Sequence, residues 1–537
     1  MKLSSFLLPI LLVAMILPLA AQEYPAETET IMETEIQDTE DEQNMLFEND
    51  QLYVIIDFEF DIKGRTLPFA LIYTGNFKTG EIIKGKDNLD RYISEKNRIL
   101  VNQRILKDNA EVLYSIGEQM EDGAYPVTIT IKVEDSWNLI ALPRLQYSNH
   151  SGLDLTIKAR DYNFLGTMSP LRVDIGYRYD ENHHSSYQFE VYTDTPFRAA
   201  GYIWNLRFDN LFRYRPNEKQ PIFYQNATGL SIELPFHTTT FTLGFTEYFY
   251  YNEENPSRYQ DFYGEDFPVF QDGLYMSSNM YASWKIPTGL FIAQYGELTY
   301  NPGISATFNH QLPDWPLLFI RKGPFLDLSH SLGFEKVDWR ANFRDGLSVF
   351  FKNSYNIDFY RLSKNSEPLS VSLTLNGSGY FIISDFFGIS SRLQYRHWFY
   401  HDPDYYESAG DNLRGIADTL IHADHMLSLN IDLPLRVLLF KPSIWFKNQK
   451  LNFFDLEFQI APVFDLALYH DPESGKSFHP KNIAASGGME LIVFSDFMRN
   501  LYIRLGYAVD LREFAATGKL PKSSDHREIY VIMGHFY

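Results

Sequence analysis

Regular alternation of apolar and polar residues runs through most of the chain after residue 137. The segments Leu153–Arg160, Leu171–Asp180 and Leu501–Leu511 each place apolar residues at odd positions and charged, small or otherwise polar residues at even ones. A period of two is that of a β-strand, whose successive side chains point to opposite faces. Each segment is therefore predicted to be a strand with one apolar and one polar face.

This pattern predicts a transmembrane antiparallel β-barrel over residues 137–537. A soluble sandwich also buries one face, but it seldom needs ten-residue strands repeated over about 400 residues. A membrane barrel needs strands of roughly 9–11 residues that are apolar outward and polar inward. The aromatic share of 16% suits the aromatic girdles of such a barrel.

The number of strands is less well defined than their type. Five predicted strands follow Gly415, namely Met426–Leu433, Phe453–Leu468, Ile483–Phe494, Leu501–Leu511 and Glu528–Tyr537. About thirteen candidates precede it, and they are least distinct between residues 273 and 315. Barrels usually have an even number of strands, so we expect about sixteen, with eighteen as the upper value.

Residues 51–136 have a different pattern, which predicts a small α+β domain. Tyr53–Ile62 reads as a strand, Asp90–Ala110 has apolar residues at helical spacing, and Glu111–Gln119 and Pro126–Val133 form a hairpin. The segment has no glycine-rich phosphate loop and no cluster of acids or bases. We therefore expect a binding domain rather than a catalytic one.

The first 50 residues are predicted to direct export and then to act as a spacer. Lys2 precedes the apolar run Phe6–Leu19, which is shorter than the roughly 20 residues of a spanning helix. Residues 1–21 are therefore predicted to be a signal peptide. Residues 22–50 are acidic and lack lysine and arginine, so they are predicted to be a disordered linker, with a docking tail for a basic partner as the alternative.

Composition and the absence of known motifs exclude several kinds of partner and of chemical site. A formal net charge of -22 argues against a nucleic-acid partner, because phosphate binding needs a basic surface. The absence of cysteine excludes thiolate catalysis and cysteine metal ligands. No Gly-x-Ser-x-Gly, phosphate-loop or His-Glu-x-x-His motif occurs. We therefore expect no catalytic residue, no metal site and no cofactor.

Five short motifs occur along the chain in a fixed order: Val133–Trp137, Asp161–Thr167, Asp194–Phe197, Leu413–Ile416 and the last strand. By their order and spacing they resemble the outer-membrane protein assembly factor family, whose BamA and TamA types are also called bacterial surface antigens. The loop Leu413-Arg414-Gly415-Ile416 is similar to the family's Val-Arg-Gly-Phe/Tyr motif. Five strands follow that loop in the family, as five are predicted to follow it here.

The last predicted strand carries its own part of the resemblance. Ile529, Val531, Met533 and Tyr537 share one face, and Gly534 stands where the family has glycine. In the family, the last strand meets the first one at a weak seam. The resemblance implies such a seam here, between residues 140–148 and the last strand.

The resemblance also implies partners for the loop arginine, which in the family folds into the barrel lumen and pairs with acids. The odd positions of the strand Phe453–Leu468 are predicted to point inward, and Asp465 is therefore the expected partner of Arg414. On the preceding strand Asn430 stands where the family commonly has glutamate, and Asp432 could substitute for it. An ordinary solvated Arg-Gly turn is the alternative.

What the resemblance implies for function is insertion or translocation of proteins at the bacterial outer membrane. The domain 51–136 would then be a periplasmic polypeptide-transport-associated (POTRA) domain. The implied partners are the outer-membrane bilayer, unfolded client proteins that bind the periplasmic domain, and periplasmic accessory proteins. A passive porin or transporter is the first alternative, and an outer-membrane enzyme is the second.

Overall fold

The computed structural model describes residues 51–535 with gaps. The gaps are residues 104, 108, 122, 151, 180–183, 217–220, 237, 255–269, 293–295, 311–323, 341, 364–366, 401–406, 409–411, 418–419, 424, 472–475, 478 and 496–500. The predicted signal peptide, the predicted linker and Tyr537 lie outside the described residues.

Residues 51–135 form an α+β module. Its elements are β1 (Leu52–Lys63), α1 (Pro68–Gly75), β2 (Ile82–Lys84), α2 (Lys86–Val101), β3 (Glu111–Ile116) and β4 (Tyr125–Glu134). The sheet has the order β2-β1-β4-β3, in which β1 and β4 are parallel. The strand, helix and hairpin follow the predicted order. Helix α1 and strand β2 carried no periodic signal, because they are only eight and three residues long.

The module has its own apolar core. Ile129 and Ile131 alternate with polar residues along β4 and are fully buried. Leu89, Ile93 and Leu100 follow a helical spacing along α2 and are buried in the same cluster. The apolar face of the sheet, set by the strand period of two, is thus covered by the apolar face of α2, set by the helical period of 3.6 residues.

The remainder of the described chain forms a closed antiparallel barrel, as predicted. Its first strands are β5 (Leu139–Ser148), β6 (Gly152–Asp161), β7 (Leu171–Tyr179), β8 (Ser185–Ala199), β9 (Tyr202–Tyr214), β10 (Ile222–Phe236), β11 (Thr239–Glu254), β12 (Phe270–Phe291) and β13 (Glu297–His310). They are followed by β14 (Phe325–Arg340), β15 (Phe343–Asp358), β16 (Leu369–Ser384) and β17 (Phe387–Tyr400), with α3 (Phe359–Ser363) between β15 and β16.

A long loop follows β17 and carries the short strands β18 (Glu407–Ser408) and β19 (His422–Ala423). After it come β20 (His425–Asp432), β21 (Leu435–Phe440), α4 (Pro442–Trp445), β22 (Leu456–Asp471), β23 (Lys476–Ser477), β24 (Ile483–Ser495), β25 (Leu501–Asp510), α5 (Leu511–Thr517) and β26 (Arg527–His535). All five strands predicted after Gly415 are present, because β20 and β21 are two halves of one crossing.

The barrel wall has 18 crossing strands within the described residues, so the expected number of about sixteen is wrong. Sixteen required two candidates between residues 273 and 315 to form a loop hairpin. Instead, β12 and β13 pair with each other and with β11 and β14 in the wall. Their pattern was weak because β12 runs for 22 residues and contains turn-favouring glycine and proline.

Inward and outward faces differ sharply in polarity. On β22, Phe464 faces outward and is 40% exposed, whereas its neighbour Asp465 faces inward and is 1% exposed. On β6 and β7, outward Ile157 and Ile175 are exposed, while inward Arg160 pairs with Asp174. The outer surface is therefore apolar and the lumen is charged. Among the described residues, no helix is long and apolar enough to span a membrane.

The module is hydrogen-bonded to one end of the barrel, here called the module-side end. The Asp135 carboxylate accepts bonds from the Arg65 amide at 2.9 Å, from Thr66 and, at 3.1 Å, from Nδ2 of Asn163 in the turn after β6. Asn163 is fully buried. Further round the rim, Arg98 of α2 pairs with Asp338 of β14 at 2.5 Å.

Asp135→Ala is expected to loosen the joint between module and barrel. A carboxylate that accepts several bonds is lost, and the local free energy of opening should fall by about 2–3 kcal/mol. The Leu67 amide donates to the Gly166 carbonyl oxygen across the joint, and its hydrogen exchange in the full chain measures that opening. Asp61→Ala, at an exposed carboxylate on β1, is the control. Equal exchange in both variants would contradict the assignment.

Candidate functional site

The candidate site is the point where the long loop between β17 and β20 enters the lumen. Leu413 and Ile416 are 3% and 1% exposed and pack with Met426 of β20, Ala467 of β22 and Ala484 of β24. The small alanine side chains on the inner wall leave room for the loop. The two apolar residues thus fix the loop against the wall on either side of Arg414 and Gly415.

Arg414 lies among three carboxylates from three successive crossings. Its Nη2 is 2.5 Å from Oδ1 of Asp465, and its Nε donates to Oδ2 of the same carboxylate at 2.9 Å. Its Nη1 lies 2.7 Å from Asp432 of β20 and 3.1 Å from Glu490 of β24. Asp465 therefore receives a bidentate guanidinium, the strongest geometry for such a pair.

A second arginine extends this network to the last two strands. Arg504 of β25 lies 3.2 Å from Oε2 of Glu490 and 3.8 Å from Asp432. Tyr530 of β26 donates its hydroxyl to Oε1 of Glu490 at 2.5 Å. The network therefore connects all five crossings that follow the loop.

The electrostatic balance favours the charged form of Arg414. Burial alone would lower the pKa of its guanidinium. Hydrogen bonding to Asp465 and the charges of Asp432 and Glu490 outweigh that effect, and the pKa lies above the ordinary value for arginine. The loop is consequently held by a permanent charge.

Gly415 allows the loop to approach the wall closely. Its φ is +80°, and a Cβ placed there would lie 2.6 Å from the backbone carbon of Ala508 on β25. Its amide donates to Oε2 of Glu528 on β26 at 3.0 Å. A side chain at this position would meet backbone, which cannot move aside without shifting the strand.

The expected partners of Arg414 fall into two groups, those that contact its guanidinium and one that contacts the loop backbone. Asp465 and Asp432 contact the guanidinium directly. Asn430 does not; its Nδ2 donates to the carbonyl oxygen of Asn412 at 2.7 Å and so supports the loop backbone. Asp411, the first residue of the polar stretch that contains the motif, lies outside the described residues.

Sequence reasoning missed Glu490 and Tyr530. Glu490 is the only charged residue in β24, whose other residues are apolar or small. A single acid at an inward position of such a strand was the available signal. Tyr530 carried no signal, since it is one of 36 tyrosines in the chain.

The last strand lies in the wall as a regular partner of β25. Ile529, Val531 and Met533 pair with Tyr507, Leu505 and Ile503, and Gly534 pairs with Tyr502.

Beside the loop, the lumen contains a cavity of about 670 Å³. Its lining includes polar and charged residues such as Arg344, Arg392 and Arg504.

Comparison with solved structures shows likeness in fold. CdiB from Escherichia coli superposes with a TM-score of 0.50 at 10% identity, over 91% of this chain and 77% of that chain. CdiB from Acinetobacter baumannii gives a TM-score of 0.48 at 12% identity, over 90% and 74%. BamA from Haemophilus ducreyi lacking POTRA domains 1–3 gives 0.41 at 13% identity, over 90% and 84%.

Comparison by sequence finds no relative: no protein-family model and no curated protein matches the chain. The resemblance expected from short motifs is thus confirmed in the barrel fold, which the chain shares with CdiB from Escherichia coli.

Arg414→Met is expected to destabilise the folded barrel by roughly 3–5 kcal/mol, because three carboxylates lose their main counter-charge. Arg414→Lys keeps the charge but not the planar fork, so its effect should be smaller. Urea unfolding in detergent micelles, followed by tryptophan fluorescence, measures both. Arg340→Met is the control, since that side chain is 73% exposed. Equal midpoints for Arg414→Met and the control would refute a stabilising role.

Gly415→Ala and Gly518→Ala form a matched pair. Both place a side chain at a positive φ, but only Gly415→Ala also places one against the neighbouring strand, so the difference between them measures the cost of that contact. Both glycines have positive φ, +80° and +64°, but nothing lies within 4 Å of a Cβ at Gly518. Gly518→Ala should cost only the conformational strain of about 1 kcal/mol. Gly415→Ala should cost clearly more in the same unfolding assay. If the two costs are equal, the loop does not depend on contact with β25.

Proposed function

We propose that this protein is a bacterial outer-membrane barrel that inserts other proteins into the membrane, or translocates them, through a weak seam between its first and last strands. The membrane location is supported by the apolar outward face of the wall and its charged lumen. The barrel fold shared with CdiB from Escherichia coli is consistent with this setting.

The observation that carries the proposal is the short pairing of the seam. Strand β26 pairs with β5 only where Tyr530–Ile532 meets Gln146–Ser148. By contrast, β26 pairs with β25 from Arg527 to His535. Within the described residues, the part of β5 nearest the module therefore has an open edge.

An open edge at membrane depth has a physical consequence. Backbone amides and carbonyls that lack partners in lipid cost several kcal/mol each. An incoming strand would satisfy them, so the edge favours addition of a client strand. The same cost makes the seam the easiest place in the wall to part.

The loop motif is coupled to this seam through one carboxylate. Glu528 at the start of β26 accepts the Gly415 amide at 3.0 Å and the Ser148 hydroxyl of β5 at 2.8 Å. Loop, first strand and last strand therefore meet at a single side chain. We infer that the loop supports the closed seam and that the Arg414 network supports the loop.

The module is proposed to be a POTRA-like periplasmic domain that receives unfolded clients. Strand β3 is at the edge of its sheet and could accept a client strand by β-augmentation. Leu113 and Ile116 of β3 are exposed, as a client contact would require. The bonds of Asp135 and Arg98 hold the module at the rim of the barrel. The lack of a cofactor and of enzymatic activity remain predictions.

Depletion of the protein in its host tests the function. Insertase activity predicts loss of folded outer-membrane barrels, and translocation predicts loss of a secreted substrate. If both persist, the proposal fails and the passive porin becomes the better interpretation.

A disulfide across the seam tests the mechanism in a chain that has no natural cysteine. Tyr147 and Val531 are directly paired, so Tyr147→Cys with Val531→Cys should form a crosslink that keeps the seam shut. Complementation of depleted cells should then be lost and should return on reduction. Leu505→Cys with Val531→Cys joins β25 to β26 instead and should complement fully. A seam-locked protein that still assembles barrels would overturn insertion through the seam.

A further inference from the structure

An apolar and basic hairpin tip projects from the module-side end of the barrel between β21 and β22. The tip, defined as residues 437–454, comprises most of β21, helix α4 and a short 3₁₀ helix, Gln449–Phe454. Its large apolar side chains are exposed over a third or more of their surface: Val437, Leu438, Leu439, Phe440, Ile444, Trp445, Phe446, Phe453 and Phe454. Neither the seam nor the loop motif uses them.

The tip is exposed because β21 leaves its neighbour. Strand β21 pairs with β17 only at Leu435 opposite Phe387, while its pairing with β22 continues to Phe440 opposite Leu456. A register shift between Arg436 and Leu438 bends the strand at this point. The segment beyond therefore extends past the rim on the side of β17.

The tip is nevertheless an ordered structure. The Asp455 carboxylate accepts the Ser443 amide at 3.0 Å and also the Ser443 hydroxyl. This bond joins the start of α4 to the start of β22. Trp445 packs edge-on against Phe440 at a centroid distance of 5.1 Å. Its apolar side chains are thus held in a fixed arrangement while exposed.

Leu438 and Phe440 of the tip continue the outer surface of the wall, whereas Leu439 pairs with the inward residue Glu457. Phe440 pairs with Leu456, which has the same outward parity on β22 as Phe464. Trp445 packs edge-on against Phe440, which places it beside the same outward surface. On β16, outward Ile383 is 60% exposed and extends the same surface toward the tip.

The charge of the tip is opposite to that of the chain. Lys441, Lys447 and Lys450 are its charged residues, whereas the chain carries a formal net charge of -22. Asp455 follows the tip directly in the sequence and adds one carboxylate against the three lysines. The tip therefore combines aromatic side chains with a local positive charge, a combination typical of segments that lie at a membrane surface.

We propose that the hairpin tip is an interfacial anchor that binds anionic phospholipid in the membrane leaflet on the module side. Trp445, Phe446 and Phe454 enter the boundary between headgroups and acyl chains, and the lysines contact headgroup phosphates. Lipid is favoured over a protein partner because the surface is continuous with the outward face of the wall. The proposal rests on the membrane location in the proposed function, not on insertase activity.

Site-directed spin labelling tests the anchor in the full chain, which has no natural cysteine. A nitroxide is attached at Phe446→Cys in vesicles of phosphatidylethanolamine and phosphatidylglycerol. Collision with oxygen reports lipid immersion, and collision with a water-soluble nickel chelate reports aqueous exposure. Phe464→Cys in the wall is the lipid reference, and Glu118→Cys on the module is the aqueous reference.

The label at Phe446→Cys is expected to lie on the lipid side of the midpoint between the two references. Lys441→Gln, Lys447→Gln and Lys450→Gln together should shift it toward water, as should replacing phosphatidylglycerol with phosphatidylcholine. A label as accessible to the nickel chelate as Glu118→Cys overturns the anchor and leaves a protein partner as the occupant. If the Phe446→Cys label is immersed and neither the lysine substitutions nor the change of lipid charge alters its immersion, the specificity for anionic lipid is overturned. A Phe464→Cys label found in water would instead refute the membrane location itself.

Discussion

The ion-pair network around Arg414 is the interaction on which the lumen depends. Buried carboxylates repel one another, and Asp432, Asp465 and Glu490 can lie close together only because two guanidiniums lie between them. The network draws on a loop and on five successive crossings. It thereby adds ionic links inside the lumen to the backbone hydrogen bonds that join these strands.

This bracing is asymmetric around the barrel. It ends at β26, where Tyr530 and Glu528 are held by groups inside the lumen. Beyond that strand the wall continues through the short backbone pairing with β5 and through side-chain bonds of Ser148 and Asn149. In the proposed function, this rigid structure on one side and the weak joint on the other would place an opening of the wall at the seam. The Ser148–Glu528 bond gives the loop a direct influence on that joint.

Two further features of the module-side end lie at the rim of the barrel: the attached module and the hairpin tip. The module is bonded at separate points of the rim, through Asp135 near β6 and through Arg98 at β14. The hairpin tip lies on another part of the rim, beyond β21. In the proposed function, a barrel held at its rim by the module and by lipid would keep its orientation while the seam parts and a strand is added at one edge.

The sequence by itself determined the fold class and much of the site. Period-two alternation is a local property, so the strands, their inward faces and the inward position of Asp465 followed from it. The strand number did not, because β12 and β13 belong to the wall only through pairing with β11 and β14. Glu490, Arg504 and Tyr530 converge on the loop from strands 60 or more residues beyond it, and no local pattern encodes that convergence. The tertiary structure alone decided which charges meet and how short the seam is, because closure of the barrel brings strands together that are far apart in the sequence. It also decided where the apolar tip emerges, because a register shift in β21 separates that strand from β17.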